Sequence, residues 1–405
     1  MSDTHTSNTS PSNPPLKGVR VIEICHMVMG PTCGMILADL GAEVIKIEPL
    51  QGDTTRHLMN QGAGFFAAYN RNKKSICLNL KSKNGLKIAH MLIASSDVII
   101  ENLRPGAMTR LGLGYTDLKE LYPTLIYCSL KGFLSGPYEN RVALDEIVQM
   151  MGGLAFMTGP AGKPLRAGAS IIDIMGGMFG VIGIQAAIIA RKKTNLGQEV
   201  KAALFETAVH AVAQHMLQFA ITNKTNKPMP TLTRAWAVYD TFDTRDGEKL
   251  FVGIVSDKQW SLFCEHFNFP ELLDDPSLKS NADRSMQRAR ILPLIQNIFA
   301  TMPINELMKK CEYAGLPFSP ITRPDELYQD PHLNYPSALL DLTLPTGKSV
   351  KVPNLPIELQ GKRPSIKHDL PKVGEHTEEI LVELGLSKNE IHSLTSQKYD
   401  PDERK

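Results

Sequence analysis

Asp173 is the residue whose type and surroundings most strongly suggest chemistry in this sequence. It follows Ser170 and two isoleucines at the start of a Gly-rich apolar segment. Aspartate is a frequent helix N-cap, worth about 1 kcal/mol, and a carboxylate is also one of the nucleophiles of covalent catalysis. The two roles are compatible, because a helix N-terminus stabilises negative charge. The spacing alone favours the cap.

Two further acids and a Cys–His pair are weaker candidates. Asp145 and Glu146 are adjacent acids in a mixed segment, a pattern typical of surface charge. Cys25 and His26 are neighbours in the sequence, but a Cys–His nucleophile pair is assembled in space and not by adjacency. The acidic and histidine residues show no ligand spacing, so we expect no metal site.

Short apolar strands alternate with helical segments from residue 17 onward. The pattern predicts strands at 19–24, 43–47, 98–100 and 125–130, and helices at 32–40, 83–94 and 115–121. Such alternation predicts an α/β fold with a parallel sheet between helices. Ligands bind these sheets beyond the carboxyl ends of the strands. In this chain those ends are followed by loops at 25–30, 48–53, 101–105 and 131–136.

Basic and amide side chains are concentrated in or near these loops. They are His26, Lys73, Lys74, Asn102, Arg104, Arg110 and Lys131. Lysine and arginine suit phosphate groups, and glycine lets backbone approach a ligand. The GxGxxG fingerprint is missing after the first strand, where Gly30 stands alone, so we expect no ordinary dinucleotide site. Solvated loop charge is the simpler interpretation of these residues by themselves.

The segment 169–190 is apolar and about as long as a bilayer-spanning helix. Asp173 lies within it, and an aspartate at the bilayer centre costs roughly 2.5–3.5 kcal/mol. We therefore predict a buried core helix and not a membrane span. Gly176, Gly180 and Gly183 share one face of that helix, which predicts close contact with another backbone, within the subunit or across a dimer.

The second half of the chain has a different pattern. The dipeptides Asp246-Gly247 and Thr346-Gly347 predict hairpin turns, and helices are predicted at 260–267, 288–300, 304–314 and 377–384. We expect a disordered tail at 1–15, a large domain at 16–225, a smaller α+β domain at 226–326 and a C-terminal segment at 327–405.

The composition is that of an ordinary globular protein of 405 residues. Lys and Arg number 44 against 42 Asp and Glu, a net charge of +2, which argues against nucleic acid or a membrane surface as partner. Six cysteines without CxxC spacing predict reduced thiols in a cytoplasmic protein and exclude a secreted disulfide scaffold. The Ser/Thr/Asn/Pro-rich N-terminus lacks the pattern of a signal peptide.

Several long motifs, in order and at similar separations, resemble the family III CoA-transferases, the CaiB/BaiF family. They read LKGVRVIEI…GPTCGMILADLGAEVIKIEP, ENLRPGAMTRLGLGY, YCSLKGF, IIDIMGG…GVIGIQAAIIARKKTNLGQEVKAALFETA, YDTFDTRDGEKLFVG and GEHTEEILVELGL. The resemblance runs from about residue 16 to the last predicted helix. It implies a large Rossmann-like parallel-sheet domain plus a smaller α+β domain, assembled as an interlocked-ring homodimer whose C-terminal segment returns to the large domain.

The resemblance also implies roles for individual residues. Asp173 matches the family's nucleophile, which attacks an acyl-CoA thioester, and Asp145 matches a second catalytic acid that is a glutamate in formyl-CoA transferases. The positions that match the family's CoA-binding residues are His26, Lys73, Lys74, Asn102, Leu103, Arg104, Arg110 and Lys131. The implied substrates are an acyl-CoA such as succinyl-CoA and a small carboxylic acid, with CoA as substrate and no permanently bound cofactor.

Departures from the family's members bear on the reaction. Val28 stands where formyl-CoA transferases carry glutamine, and the segment 235–239 replaces their glycine-rich flap, which disfavours an oxalate/formyl pair. The superfamily's α-methylacyl-CoA racemases carry a histidine base before the Gly152-Gly153 turn, and this chain has none there, which favours CoA transfer. Racemisation and CoA binding without chemistry remain the alternatives.

Overall fold

The structure, a computed structural model, describes residues 14–231 and 235–395. Residues 1–13 of the predicted N-terminal tail lie outside the described residues. The described residues divide into two compact units, one formed by residues 14–230 together with 331–395 and the other by residue 231 and residues 235–330.

The larger unit is built on a six-stranded parallel sheet with the strand order β3-β2-β1-β4-β5-β6. Its strands are β1 (Arg20–Ile24), β2 (Glu43–Glu48), β3 (Lys73–Cys77), β4 (Val98–Glu101), β5 (Ile126–Lys131) and β6 (Glu199–Ala203). This is the order of a doubly wound sheet, in which the chain reverses direction of growth between β1 and β4. The predicted α/β fold class is confirmed.

Helices cover the two faces of this sheet and extend the unit. They are α1 (Met29–Asp39), α2 (Phe65–Tyr69), α3 (Lys83–Ala94), α4 (Ala107–Arg110), α5 (Tyr115–Leu118), α6 (Asp145–Met151), α7 (Leu154–Thr158), α8 (Ile171–Thr194), α9 (Leu204–Ala211) and α10 (Ala213–Thr222). Apolar strand residues are buried on both faces, because α1 and α8 pack on one side and α3 on the other.

Strands β3 and β6 were not predicted by the sequence analysis, which placed Lys73 and Lys74 near the ligand-binding loops. Strand β3 pairs with β2 in the register Val44–Lys73 and Ile45–Lys74. A Lys-Lys-Ser start hides a strand from hydrophobic patterning, because the pattern assumes that buried positions are apolar. Here the buried Lys73 is compensated by a buried glutamate, Glu23, on β1.

Helix α8 begins at Ile171 with Ser170 as its N-cap, so Asp173 lies in the first turn and the prediction that it caps the helix is wrong. The glycine face packs within the chain. A Cβ on Gly177 would come 2.6 Å from the Met29 carbonyl oxygen, and one on Gly180 would come 2.8 Å from Leu130. These glycines are therefore needed for contact with α1 and β5.

Among the described residues α8 is also the one helix long and apolar enough to cross a membrane by length and composition. Its glycine face is buried against α1 and the sheet, whereas Met178, Ile182 and Ile189 are exposed. The predicted core helix is thus buried on one face and not all round.

The rest of the larger unit follows residue 330. It contains the hairpin β10 (Leu339–Thr343) and β11 (Ser349–Pro353) and the helices α16 (Thr377–Glu383) and α17 (Lys388–Thr395). Ser75 of β3 donates its backbone N–H to His376 Nδ1, and Leu381 is buried in the same apolar cluster as Ile76. The C-terminal helices therefore close the β3 edge of the sheet.

The smaller unit has an antiparallel sheet and five helices of its own within its described residues. These are β7 (Tyr239–Asp243), β8 (Lys249–Gly253) and β9 (Phe318–Pro320), with α11 (Asp257–His266), α12 (Pro270–Leu273), α13 (Asn281–Met286), α14 (Arg288–Phe299) and α15 (Ile304–Tyr313). Phe263 and Phe299 centre its apolar core. The segment before β7 is held by Arg288, which donates to the Ala237 carbonyl at 2.6 Å.

Candidate functional site

The carboxyl edge of the sheet places two loops side by side at the point where strand order reverses. One follows β1 and carries His26, and the other follows β4 and carries Asn102. The Asn102 amide fastens them together: its oxygen accepts from the His26 N–H at 3.0 Å and its nitrogen donates to the His26 carbonyl at 2.8 Å. This crevice is where doubly wound sheets bind ligands.

Two cavities open on either side of these loops, and His26 and Leu103 line both. The first, about 690 Å³, extends over the ends of β2 and β3, where Pro49, Asn79 and Lys81 line it. The second, about 930 Å³, reaches the start of α8 and includes Asp173. Because they share His26 and Leu103, the two cavities adjoin, and we refer to them together as the path from the β2–β3 edge of the sheet to Asp173.

Asp173 lines the second cavity, and its half-buried carboxylate makes no hydrogen bond among the described residues. Burial, followed by the neighbouring charges of Asp145 and Glu146, raises the pKa of Asp173 to about 7. Arg166 lowers it only in part, because its guanidinium is paired with Glu146. The result is a carboxylate far more basic than an ordinary aspartate.

Asp145 occupies the place that the sequence analysis had given to Asp173. One of its carboxylate oxygens accepts from the N–H groups of Ile172 and Asp173, at 2.9 and 3.0 Å, and so satisfies the first turn of α8. Its other oxygen accepts from Gln149, whose own amide oxygen accepts from the Ala167 N–H. Asp145 is 3% exposed, so the interpretation of this residue as surface charge is wrong; Glu146 is exposed.

This division explains why Asp173 is not held in its charged form by the helix. The positive end of α8 acts on Asp145, which receives the N–H groups directly. Asp173 lies in the same first turn, where its own N–H is donated to Asp145, and its half-buried carboxylate lies beside the charge of Asp145. The sequence position of Asp173 predicted that the helix N-terminus stabilises its ionised form. In the structure that stabilisation acts on Asp145 instead.

The remaining predicted binding residues divide into two groups. Asn102, Arg104 and Lys131 line the second cavity together with His26 and Leu103. Lys131 Nζ is bonded to Glu101 at 2.6 Å and to the Leu103 carbonyl at 2.9 Å, whereas Arg104 is exposed and has no ion pair among the described residues.

Lys73, Lys74 and Arg110 are not brought to either cavity. Lys73 is fully buried and bonded to Glu23 at 2.8 Å and to the Pro31 carbonyl at 2.9 Å. Lys74 is paired with Glu43 and Glu379. Arg110 ends the short helix α4 and is exposed outside the two cavities. We therefore leave these three residues out of the proposed ligand site.

The sequence analysis also missed residues that line the path. Asn79 and Lys81 follow β3 and line the first cavity, and Tyr69, Arg141 and Arg166 line the second. The first two were hidden with β3 itself, since a loop is placed only when its strand is recognised. Charge from Asp173 and Asp145, after burial, raises the pKa of Tyr69, which confirms its closeness to both acids.

Comparison with known proteins decides the family. The profile of CoA-transferase family III matches residues 16–377. The chain belongs to CoA-transferase family III. The resemblance noted from the motifs is thereby confirmed, and the protein is an enzyme of the transferase class.

Named relatives match over nearly the whole chain. An "Acyl-CoA transferase" of Fusarium pseudograminearum is 35% identical over 95% of this chain and 88% of its own length. The "Succinyl-CoA:glutarate CoA-transferase" of Mus musculus is 32% identical over 91% of this chain and 86% of its own. Among solved structures, a CAIB/BAIF family protein from Brucella suis superposes with a TM-score of 0.82 at 32% identity, covering 92% of this chain and 100% of that one.

Proposed function

We propose that this CoA-transferase moves CoA from a short acyl-CoA, such as succinyl-CoA, to a free carboxylic acid through covalent intermediates on Asp173. The observation that supports it most is a half-buried carboxylate of raised pKa in the cavity at the start of α8. Relatives named succinyl-CoA:glutarate, succinate–glutarate and formyl-CoA:oxalate CoA-transferases support the choice of an acyl-CoA donor and a carboxylate acceptor.

The proposed chemistry proceeds by exchange at acyl carbons. An Asp173 oxygen attacks the thioester carbonyl, the C–S bond breaks, and a mixed anhydride and CoA thiolate result. The thiolate then attacks the Asp173 acyl carbon and expels the donor acid, leaving an aspartyl-CoA thioester. The acceptor carboxylate attacks this thioester, which releases CoA thiolate and forms a second anhydride between the acceptor and Asp173. The thiolate then attacks the acceptor's acyl carbon in this anhydride. A new acyl-CoA leaves and Asp173 is free again.

The surroundings of Asp173 suit each of these steps. A raised pKa makes the ionised carboxylate a better nucleophile once its proton is lost, and the burial that raises it keeps water from the anhydride. Asp145 fixes the backbone of the first turn of α8, and with it the position of Asp173. We therefore propose Asp145 as the second residue of the active site.

We propose that CoA lies along the path, with its thioester at Asp173 and its nucleotide over the ends of β2 and β3. The exposed Arg104, near the meeting point of the two cavities, supplies a guanidinium suited to phosphate. His26 and Leu103 would flank the pantetheine chain, because both line both cavities.

The test is exchange between succinyl-CoA and a panel of free carboxylates, followed by mass spectrometry of CoA esters and of the intact protein. We expect new CoA esters and an acyl or CoA adduct on Asp173. Asp173→Ala should abolish both, with Asp341→Ala as the matched control, because Asp341 is an exposed residue of β10 that lines neither cavity. Full exchange by Asp173→Ala would overturn the proposal. Deuterium exchange at the α-carbon without CoA exchange would indicate the racemase reaction.

We further propose that the chain acts as the interlocked homodimer that the family resemblance implies. Apolar side chains exposed on α8 and α10, among them Ile182, Ile189, Leu217 and Ile221, support a partner subunit on that side. Light scattering should give twice the chain mass of 44.7 kDa.

We also propose that the protein is cytoplasmic. All six cysteines are free and five of them are buried, which supports a reducing compartment. Cell fractionation tests this localisation.

A further inference from the structure

The two halves of the parallel sheet repeat one arrangement of charges at the loops that border the cavities. In the first half, Lys46 of β2 bonds Glu23 of β1 at 3.1 Å and donates to the Cys25 carbonyl at 2.7 Å. Cys25 opens the loop that carries His26. Asp53 is a second carboxylate on Lys46, at 2.9 Å, and all of these side chains are buried.

The second half has the same arrangement. Lys131 of β5 bonds Glu101 of β4 at 2.6 Å and donates to the Leu103 carbonyl at 2.9 Å. In both halves the lysine lies on the strand next to the glutamate's strand, on the side away from the centre of the sheet. The carbonyl belongs to the residue two positions after the glutamate. A further contact, from Ser129 to Glu101, fixes the carboxylate.

Asn102 connects the two halves. It lies between Glu101 and Leu103, and its amide makes two hydrogen bonds to the backbone of His26 in the opposite loop. We call the two Lys–Glu pairs and Asn102 the loop clamp: Glu23–Lys46, Glu101–Lys131 and Asn102. Its members fix the two loops along which both cavities run.

The charges of the loop clamp are already matched. Each lysine lies within 3.1 Å of at least one carboxylate, and each also donates a hydrogen bond to a loop carbonyl. The carboxylate cancels most of the positive charge of a lysine paired in this way, so the lysine attracts a phosphate only weakly. Arg104 differs, since it is exposed in the same cavity without an ion pair among the residues that the structure describes.

We propose that Lys46, Lys131 and Asn102 are positioning residues, which set the shape of the CoA path through the Cys25, Leu103 and His26 backbone, and that Lys131 and Asn102 do not act as ligands of the CoA phosphates. The proposal rests on the proposed function, since it assumes that CoA occupies this path. It replaces the direct contact with CoA, which the family resemblance implied for Lys131, with an indirect role.

The test compares two donors, succinyl-CoA and succinyl-pantetheine, which lacks every phosphate of the nucleotide end. We expect Lys131→Met to lower kcat/KM by about tenfold for both donors, the effect of losing one hydrogen bond to a charged group. Arg104→Gln should lower kcat/KM for succinyl-CoA and leave that for succinyl-pantetheine unchanged. Lys201→Met is the matched control, because Lys201 on the next strand is paired with Glu199 and bonds neither loop.

The proposal would be overturned if Lys131→Met lowered kcat/KM for succinyl-CoA alone. It would also be overturned if the variant lowered kcat/KM for neither donor. Asn102→Ala removes the exposed part of the loop clamp and keeps the test open if Lys131→Met fails to fold. The double variant should lose less than the product of the two single losses, because both act on one loop. Independent effects of the two would also overturn it.

Binding experiments separate this inference from the proposed function. If the wild type exchanges no CoA, the proposed function fails, but calorimetric titration with CoA still tests the loop clamp. Removal of a phosphate ligand reduces the dependence of the CoA Kd on salt, whereas loss of a positioning residue leaves that dependence unchanged. We expect a weaker Kd with unchanged salt dependence for Lys131→Met.

Discussion

Two clusters of carboxylates in the larger unit use the same residue types and end with opposite properties. Below the first cavity, Glu23 and Asp53 face Lys46 and Lys73, two negative charges against two positive ones. At the start of α8, Asp145, Glu146 and Asp173 lie together, and Arg166, which is paired with Glu146, only partly offsets their charge at Asp173. We refer to them as the balanced cluster and the acidic cluster.

The balance of charge decides what each cluster is suited to do. Although burial opposes its charge, Lys46 and the Thr55 N–H lower the pKa of Asp53 below its ordinary value. In the acidic cluster, burial and like charge act in the same direction and raise the pKa of Asp173. A matched set of charges is structural, whereas an unmatched carboxylate is left available for reaction.

The largest expected effect comes from removing the unmatched carboxylate. Asp173→Ala should reduce CoA exchange by about 10³-fold or more, as loss of a covalent nucleophile does. Steady-state exchange with succinyl-CoA measures it, with circular dichroism to show an unchanged fold. A loss of only a few fold would mean that the acidic cluster has no nucleophile.

Removing one member of the balanced cluster should harm stability instead. Glu23→Gln leaves Lys46 and Lys73 short of a buried counter-charge, and we expect a loss of about 3–5 kcal/mol in the free energy of unfolding. The matched control is Glu43→Gln, whose half-buried surface pairs should be worth less than about 1 kcal/mol. Urea unfolding measures both. Equal losses would contradict the distinction between matched and surface charge.

The stability effect of Asp173 should have the opposite sign and depend on pH. Its pKa is about 7 in the folded chain against a model-peptide value of 3.8. As pH rises from 4 to 7 the unfolded chain ionises this group first, so the folded wild type loses stability. Asp173→Asn should therefore match the wild type near pH 4 and exceed it by about 2–4 kcal/mol at pH 8. Equal stability of the two proteins at pH 8 would show that Asp173 is not desolvated.

The smallest expected effects concern the pH dependence of exchange. Wild-type kcat/KM should rise with pH through about 7, as Asp173 loses its proton. Asp145→Asn removes the nearest like charge and should move this rise to lower pH. Glu146→Gln should move it in the same direction by less, because Glu146 is exposed and its charge is already paired with Arg166. If kcat/KM of Asp145→Asn rises at the same pH as that of the wild type, the two acids are not coupled.

Local pattern was enough for most elements of this fold. Helix α3 begins and ends where predicted, at Lys83 and Ala94, because Ser82 caps it and its apolar residues recur on one face. The hairpin of β7 and β8 follows from the Asp246-Gly247 turn. The missed strand β3 shows the limit of this method, since Lys73 is buried only through a partner on another strand.

The sequence by itself determined the alternation of strands and helices, the family, and Asp173 as the residue to test, because periodicity, turn residues and long motifs are local properties. Tertiary structure alone decided which acid caps α8 and which lysines are already paired. Asp145 and Asp173 are 28 residues apart, and the charge, burial and donors that each meets come from distant segments. Those surroundings, and not the residue type, make one carboxylate an acceptor for the first turn of α8 and leave the other without a hydrogen bond to any described residue.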